Sequence, residues 1–236
     1  MVYTTMRSLG ILLLDRGLPP GASPPPPAAY APMRNPATFD FPTAYETVVG
    51  AYGENVIRGD SGVGPTCIAA AQRLVEGGAV AISSNCGFFI RHQKAVAASV
   101  KVPVVLSSLL LVPSLLRQLP PTAKLAVVTA DSTHCSEGML GVDDPDQRAR
   151  VVIGGIEGGK LWQNEMRLPP PPTNVADIES EVAACVVQLR TAHPEIGAIL
   201  FECSAFPVVT PAIRRLTGLP VYDITTLCRM TFASVA

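Results

Sequence analysis

The sequence predicts an α/β protein of two pseudo-twofold-related domains, each a parallel-stranded sheet flanked by helices, with a site in the cleft between them. Three observations predict it. Short apolar runs alternate with amphipathic stretches, the pattern of strands buried on both faces and covered by helices. The layout then repeats: Gly78-Ala-Val-Ala-Ile-Ser-Ser-Asn-Cys86 leads into a helical stretch and Val102-Pro103-Val104, and Gly197-Ala-Ile-Leu-Phe-Glu-Cys203 leads into another and Leu219-Pro220-Val221. Finally, the spacings agree. The two cysteines lie 117 residues apart, each stands 17 residues before the proline of its Pro-Val pair, and Asp15 and Asp131 close apolar runs 71 and 72 residues ahead of them.

Taken in order, Leu9 to Leu14 is a continuous apolar run closed by Asp15 and reads as a doubly buried strand. Four prolines, Pro24 to Pro27, favour extended polyproline geometry in the loop that follows. Ala44 to Val56 fits helix and strand alike. Pro65 to Glu76 reads as a helix, with proline early and Gly77-Gly78 as its stop. Ala79 to Ser84 is the next buried strand and presents Asn85, Cys86 and Gly87 at its C-terminal tip. An amphipathic helix over Phe88 to Val100, a strand over Val102 to Leu106 and a helix over Leu109 to Gln118 complete the first copy.

The second copy starts at Lys124, with strands at Leu125 to Thr129 and Val151 to Ile153 and a second proline run at Pro169 to Pro172. Both proline runs read as semi-rigid surface linkers, with a role over the cleft as the alternative. Val175 to Ala192 has apolar positions at helical spacing. The strand Ala198 to Phe201 delivers Glu202 and Cys203, a helix covers Thr210 to Thr217, a strand Leu219 to Tyr222, and a closing helix Thr225 to Val235. The domains are expected at residues 1–107 and 108–222, with the closing helix, 223–236, packing back on the first.

Composition excludes several classes. At 236 residues the chain has room for two cores of about 115 residues each, and 48% apolar against 16% charged residues argues against disorder. A formal net charge of −1 gives no reason to expect nucleic acid or an anionic membrane surface as a partner. No apolar stretch reaches the roughly 20 residues of a membrane span. Met1 to Leu14 shows no small-residue cleavage site, so the expected compartment is the cytoplasm. Six cysteines are too sparse for a disulfide scaffold, and His92, His134 and His193 lack zinc-ligand spacing, so no metal is expected.

In parallel sheets ligands bind beyond the carboxyl ends of the strands, where Asp15, Cys86, Asp131 and Cys203 fall. Free cysteines are most often small buried hydrophobes, and Cys67, Cys185 and Cys228, all on helices, read that way. Cys86 and Cys203 differ: each ends a strand at the ligand edge and precedes a helix, whose N-terminus favours the thiolate while desolvation in a cleft opposes it. Asn85, Gly87, Ser204 and the amides after each cysteine are candidates for clasping a carboxylate, with helix capping as the plainer role. Thr129, Ser132 and Thr133 offer further hydroxyl donors, as do Ser107 and Ser108. Asp15 is a candidate supporting acid or base, and Asp15 and Asp131 alike suit Asx-turns. Strand alternation points Glu202 away from Cys203, toward a pairing with Arg214 or Arg215. His134-Cys135 sits on a loop that either lines the cleft or is ordinary surface. The glycine-rich stretches Gly59 to Thr66 and Gly154 to Gly159 lack the lysine or the spacing of phosphate and dinucleotide motifs.

These motifs resemble the aspartate/glutamate/hydantoin racemase superfamily, which also holds maleate isomerases, arylmalonate decarboxylases and a dimethylsulfoniopropionate lyase group. The resemblance runs along essentially the whole chain, through Asp15, Ser84-Asn85-Cys86-Gly87 and Glu202-Cys203-Ser204. It implies two cysteines facing each other across a cleft, acting as acid and base without a cofactor. Glutamate racemases carry Cys-Asn-Thr and Cys-Thr-His-Tyr-Pro motifs; here Asn85 precedes the first cysteine, and Cys203-Ser204-Ala205-Phe206-Pro207 has alanine in place of the histidine. Asn85-Cys86-Gly87-Phe88 and Ile199-Leu200-Phe201-Glu202-Cys203 are more similar to the lyase group.

The expected chemistry is proton abstraction and donation at the carbon beside a carboxylate of a small amino acid or related acid. Racemisation leads the reading. β-Elimination and arylmalonate-type decarboxylation are the enzyme alternatives, and a small-carboxylate binding protein is the non-enzyme one. The expected partner is a small carboxylate substrate, with neither nucleic acid nor membrane, and self-association stays open.

Overall fold

The computed structural model describes residues 7–18 and 31–235; the first proline run, Pro24 to Pro27, lies outside the described residues. In the first half the order is β1 (Ser8–Leu14), a 3-10 turn (Pro32–Arg34), β2 (Thr43–Val48), α1 (Gly53–Arg58), α2 (Val63–Glu76) and β3 (Ala79–Ser84). A 3-10 segment (Gly87–His92), α3 (Gln93–Ser99), β4 (Val104–Val105), a 3-10 turn (Ser108–Leu111) and α4 (Val112–Gln118) follow. The second half runs β5 (Lys124–Thr129), a 3-10 turn (Glu137–Met139), α5 (Pro145–Arg148), β6 (Val151–Gly155), α6 (Lys160–Glu165), α7 (Val175–Ala192) and β7 (Ile196–Phe201). It ends with a 3-10 segment (Phe206–Val209), α8 (Thr210–Thr217), β8 (Val221–Tyr222) and α9 (Ile224–Ala233).

The strands form two parallel four-stranded sheets, ordered β2-β1-β3-β4 and β6-β5-β7-β8. The duplication extends to the irregularities. The β1–β3 ladder shifts register between Ser8 and Leu9, and the β5–β7 ladder shifts at the equivalent step between Lys124 and Leu125. Asn85 N–H donates to Leu12 O at 2.9 Å, and Glu202 N–H donates to Val128 O at 2.8 Å. These two bonds fix Asn85 and Glu202 as equivalent positions, each at the end of a central strand and each just before a cysteine.

The apolar runs fold as strands because both faces find cover. Leu9, Ile11 and Leu12 are fully buried, each worth about 1.5–3 kcal/mol of burial. One cluster joins Leu12 and Ile82 with Leu125, Val127 and Leu200, so core packing continues from one half into the other. A second lies within the second half around Ile178, Val182 and Phe201. In a third, Ile224, Leu227, Cys228 and Phe232 of α9 cover Leu9, Ile11 and Ala81 of the first sheet.

The structure differs from the sequence reading where local pairing is replaced. The helix expected over Phe88 to Val100 begins as a 3-10 segment, and Gly87, Phe88 and Phe89 are buried in succession, more than one α-helical face provides. The strand over Val102 to Leu106 shrinks to two residues because Gln93 takes over the edge: its Nε2 donates to Val104 O at 2.7 Å and its Oε1 accepts from Leu106 N–H at 2.9 Å. The ambiguous stretch Ala44 to Val56 contains both β2 and the start of α1, separated by a turn at Gly50. Among the described residues no helix is long and apolar enough to cross a membrane.

Candidate active site

Cys86 and Cys203 both line one cavity of about 550 Å³. Their backbones are alike: Phe89 N–H donates to Cys86 O and Phe206 N–H to Cys203 O, both at 3.1 Å, so each cysteine opens a 3-10 turn. Neither thiol is in a disulfide, and each keeps partial exposure to the cavity. The sequence reading expected helix starts to favour the thiolates; the balance falls the other way. Burial, then the charge of Glu202, pushes Cys86 up to about 12, and the same two causes raise Cys203 well above an ordinary thiol. One backbone amide works downward in each case, from Phe88 and from Ala205. A short 3-10 turn supplies only that single donor and too few aligned peptides to offset desolvation.

Glu202 departs from its expected place. It does not pair with Arg214, whose guanidinium donates instead to Val221 O at 2.7 Å. Its side chain is buried in the cavity wall, where Oε2 accepts from Thr129 Oγ1 at 2.8 Å and Oε1 has no hydrogen-bond partner among the described residues. Burial raises its carboxyl to about 7, against smaller opposing effects from the Thr129 hydroxyl and the Arg91 charge. Gly87 makes room for it: a Cβ there would lie 2.3 Å from both the carbonyl oxygen and Oε1 of Glu202. Alternation along β7 fails as a guide because Glu202 lies past the last strand residue, Phe201.

Asn85, Gly87 and Ser204, expected to clasp a carboxylate, line the cavity. Asn85 Oδ1 accepts from Leu14 N–H at 2.8 Å, and the Ser204 hydroxyl donates to Asn85 O, tying the two cysteine loops together. Asp15, expected as a supporting acid or base, is absent from the cavity lining. Its two carboxylate oxygens accept from Gly17 N–H and Gly50 N–H, both at 2.9 Å, which is an Asx-turn and a loop clamp.

Thr129, Ser132 and Thr133 are likewise absent from the lining. Thr129 orients Glu202. The Ser132 hydroxyl donates to Glu157 Oε1 at 2.6 Å, and the Thr133 hydroxyl donates to Asp131 Oδ1 at 2.5 Å. Competition from nearer carboxylates takes all three hydroxyls. Asp131 is buried; desolvation works against its charge, but bonds from Thr133, His134 and Trp162 outweigh that and hold its carboxyl low.

Several wall residues carry no motif that sequence reading finds. The helix α6 brings Trp162 and Glu165, and its Trp162 Nε1–H donates to Asp131 Oδ2 at 3.0 Å. Arg16, two residues past β1, reaches across to Glu165 at 2.5 Å, an ion pair between the halves. Arg34, Met33, Phe88 and Met166 add to the wall, as do Pro169, Pro170 and Pro172. The second proline run is therefore cavity wall rather than a plain linker. The one available signal for α6 was Gly158-Gly159 ahead of the chain's single tryptophan.

No protein-family model matches the chain. In sequence it is similar to dimethylsulfoniopropionate lyases: 31% identical over 201 residues to that of Durusdinium sp. clade D, covering 80% of this chain and 64% of the relative. Dimethylsulfoniopropionate lyase 3 of Emiliania huxleyi is 30% identical over 241 residues, covering 97% of this chain and 60% of the relative. The chain thus spans less than two thirds of the length of both relatives. In fold it is similar to glutamate racemase from Francisella tularensis, with a TM-score of 0.54 at 13% identity over 98% of this chain and 82% of that one. Both sides of the sequence resemblance hold: the fold is that of the aspartate/glutamate racemases, and the sequence kinship is with the lyases.

Proposed function

We propose that this chain, which has a racemase fold and lyase relatives, carries out two-cysteine chemistry on a small carboxylate and does so as a β-elimination lyase. The observation that carries the reading is the meeting of Cys86 and Cys203, from equivalent strand ends, in the wall of one cavity. The cavity lies in the size range of small-molecule sites, about 300–1,000 Å³. Arg16 and Arg34 in its wall suit a carboxylate, and Trp162, Phe88 and Glu165 suit a cationic group on the same molecule. The relatives' named substrate, dimethylsulfoniopropionate, carries both groups.

In the proposed reaction a Cys86 thiolate removes the hydrogen on the α-carbon. The C–H electron pair becomes the α,β double bond, the bond from the β-carbon to sulfur breaks, and the sulfide departs with that pair as a neutral molecule. A thiolate whose conjugate acid sits near 12 is a strong base, which narrows the gap to a carbon acid. The opposite thiol, Cys203, faces the other side of the substrate and steadies it by hydrogen bonding.

Racemisation is the second reading, favoured by the pseudo-symmetry of the two cysteines. Incubation in heavy water with dimethylsulfoniopropionate and with chiral amino and hydroxy acids, followed by proton NMR, separates the readings. Elimination yields acrylate and a sulfide. Racemisation yields deuterium at the α-carbon with loss of optical activity and no new product. Exchange and turnover absent on all these acids would sink both.

A further inference from the structure

The cavity wall holds an ion pair of its own. Arg16 comes from the first half, and its Nη1 donates to Glu165 Oε2, on α6 of the second half, at 2.5 Å. Both side chains line the cavity and keep some exposure, 26% for Arg16 and 19% for Glu165. Among the described residues neither has a second ion-pair partner, and Glu165 Oε1 takes no hydrogen bond. The pair is reachable from the cavity, yet each member depends on the other for its charge balance. Trp162 stands three residues before Glu165 on α6, so the two share a helix face, and both line the cavity. The indole is held in place by its bond to Asp131 Oδ2 at 3.0 Å. The Glu165 backbone abuts α1, where a Cβ on Gly53 would lie 2.9 Å from Glu165 O. A carboxylate and an aromatic ring are thus held side by side, the two groups that attract a cation without needing a donor from it.

We propose that the Arg16–Glu165 pair selects for zwitterions: the carboxylate of the substrate takes Arg16, its onium group takes Glu165 and the Trp162 ring, and one internal ion pair is exchanged for two external ones. The inference rests on the small-carboxylate reading of the cavity above and deepens it by naming what decides the charge of the substrate. A singly charged acid gains Arg16 but strands Glu165, and removing one partner of a partly buried pair is costly. A cation alone strands Arg16 in the same way. A molecule with both charges leaves neither group without a partner, so the pair works against simple acids as well as for zwitterions.

The same rule clears the products. Elimination leaves the removed hydrogen on Cys86 and turns one zwitterion into an unsaturated anion and a neutral sulfide. The anion brings no cation to Glu165, so Arg16 and Glu165 close on each other again and compete with it for the guanidinium. Substrate and product differ by one charge, and that charge is the one the pair reads.

The test is calorimetric titration of wild type and Glu165→Gln with three probes of one shape. β-Alanine betaine carries both charges; its carbon isostere, with a tert-butyl group in place of the trimethylammonium, carries only the carboxylate; its amide carries only the cation. Wild type is expected to bind the zwitterion about tenfold or more tighter than either singly charged probe. In Glu165→Gln that advantage should vanish, and the carboxylate-only probe should bind about tenfold tighter than it does to wild type, because Arg16 is no longer claimed. A pair that only holds the halves together predicts the opposite, a loss shared equally by every probe, and that result would overturn the proposal. So would a carbon isostere bound by wild type as tightly as the zwitterion, or no binding of any probe. The comparison of probes on wild type decides even where the variant does not fold. Charge preference without turnover of any sulfonio acid would sink the elimination reading and spare the selection; turnover without charge preference would do the reverse.

Discussion

The two cysteine loops share a backbone and differ by one side chain. Asn85 and Glu202 occupy the same place, each with its N–H on the neighbouring strand and each followed by a cysteine that opens a 3-10 turn. Asn85 Oδ1 has a partner in Leu14 N–H, whereas among the described residues Glu202 keeps one oxygen without a hydrogen bond. Duplication therefore supplied two thiols in equivalent geometry and then made their surroundings unequal. A racemase needs its two acid-base groups to exchange roles, which favours equal surroundings. An elimination runs in one direction and tolerates, even uses, the inequality.

The largest expected effect follows from that contrast. Cys86→Ser should lower turnover by about a hundred- to ten-thousandfold, the usual worth of a positioned acid or base, while Cys203→Ser should lower it by only about tenfold. Steady-state kinetics on the two purified variants decides it. Equal losses would restore symmetry and favour racemisation.

The next effect is on stability. The Glu202 carboxyl goes from 4.5 to about 7 on folding, so between those values the folded chain holds a proton that the unfolded chain has released. Wild-type stability should therefore fall as pH rises from about 4.5 to about 7 and then level, a loss on the order of 3 kcal/mol. Glu202→Gln carries no charge to desolvate, so its melting temperature should match wild type near pH 4.5 and exceed it at pH 8. A gap that stays constant with pH would show that Glu202 is not the asymmetric element.

How much of this was legible depends on where each property resides. The fold was readable because both sheets are built from apolar runs with the same internal spacing, and Cys86 and Cys203 were readable because that spacing repeats. The hydroxyls of Thr129, Ser132 and Thr133 were read as free for a ligand because sequence order does not show that Glu202, Glu157 and Asp131 lie nearer. Asp15 shows the same limit: its oxygens accept from Gly17, an Asx-turn that the sequence offers, and from Gly50, which is distant in sequence. Trp162 and Glu165 sit on a six-residue helix, too short for apolar periodicity to declare itself. Glu202 was visible as a residue and misread as a direction, because strand alternation holds only while the strand continues.

Gly87→Ala tests the same asymmetry from the other loop. The new methyl would lie 2.3 Å from Glu202 O and Oε1, so the backbone or the carboxyl must shift, at about 1–3 kcal/mol. If the carboxyl is driven toward solvent, the fall in stability between pH 4.5 and pH 7 should shrink as well, which thermal melts across that range would report. A melt that drops uniformly, with the pH dependence intact, would place the strain in the backbone alone.

Trp162→Phe should have the smallest effect and probes the second half without touching either thiol. The indole donates to Asp131 Oδ2 at 3.0 Å, and Thr133 and His134 still donate to that carboxylate when the indole is gone. The expected stability cost is therefore about 1 kcal/mol, the net worth of one hydrogen bond. The ring also forms part of the cavity wall, so its loss should weaken substrate holding rather than the proton step. KM should rise several-fold with kcat kept, the pattern of binding that is equal in ground and transition states. A fall in kcat at unchanged KM would instead tie the Asp131–Trp162 pair to the chemistry, from the end of the strand beside the one that carries Glu202 and Cys203.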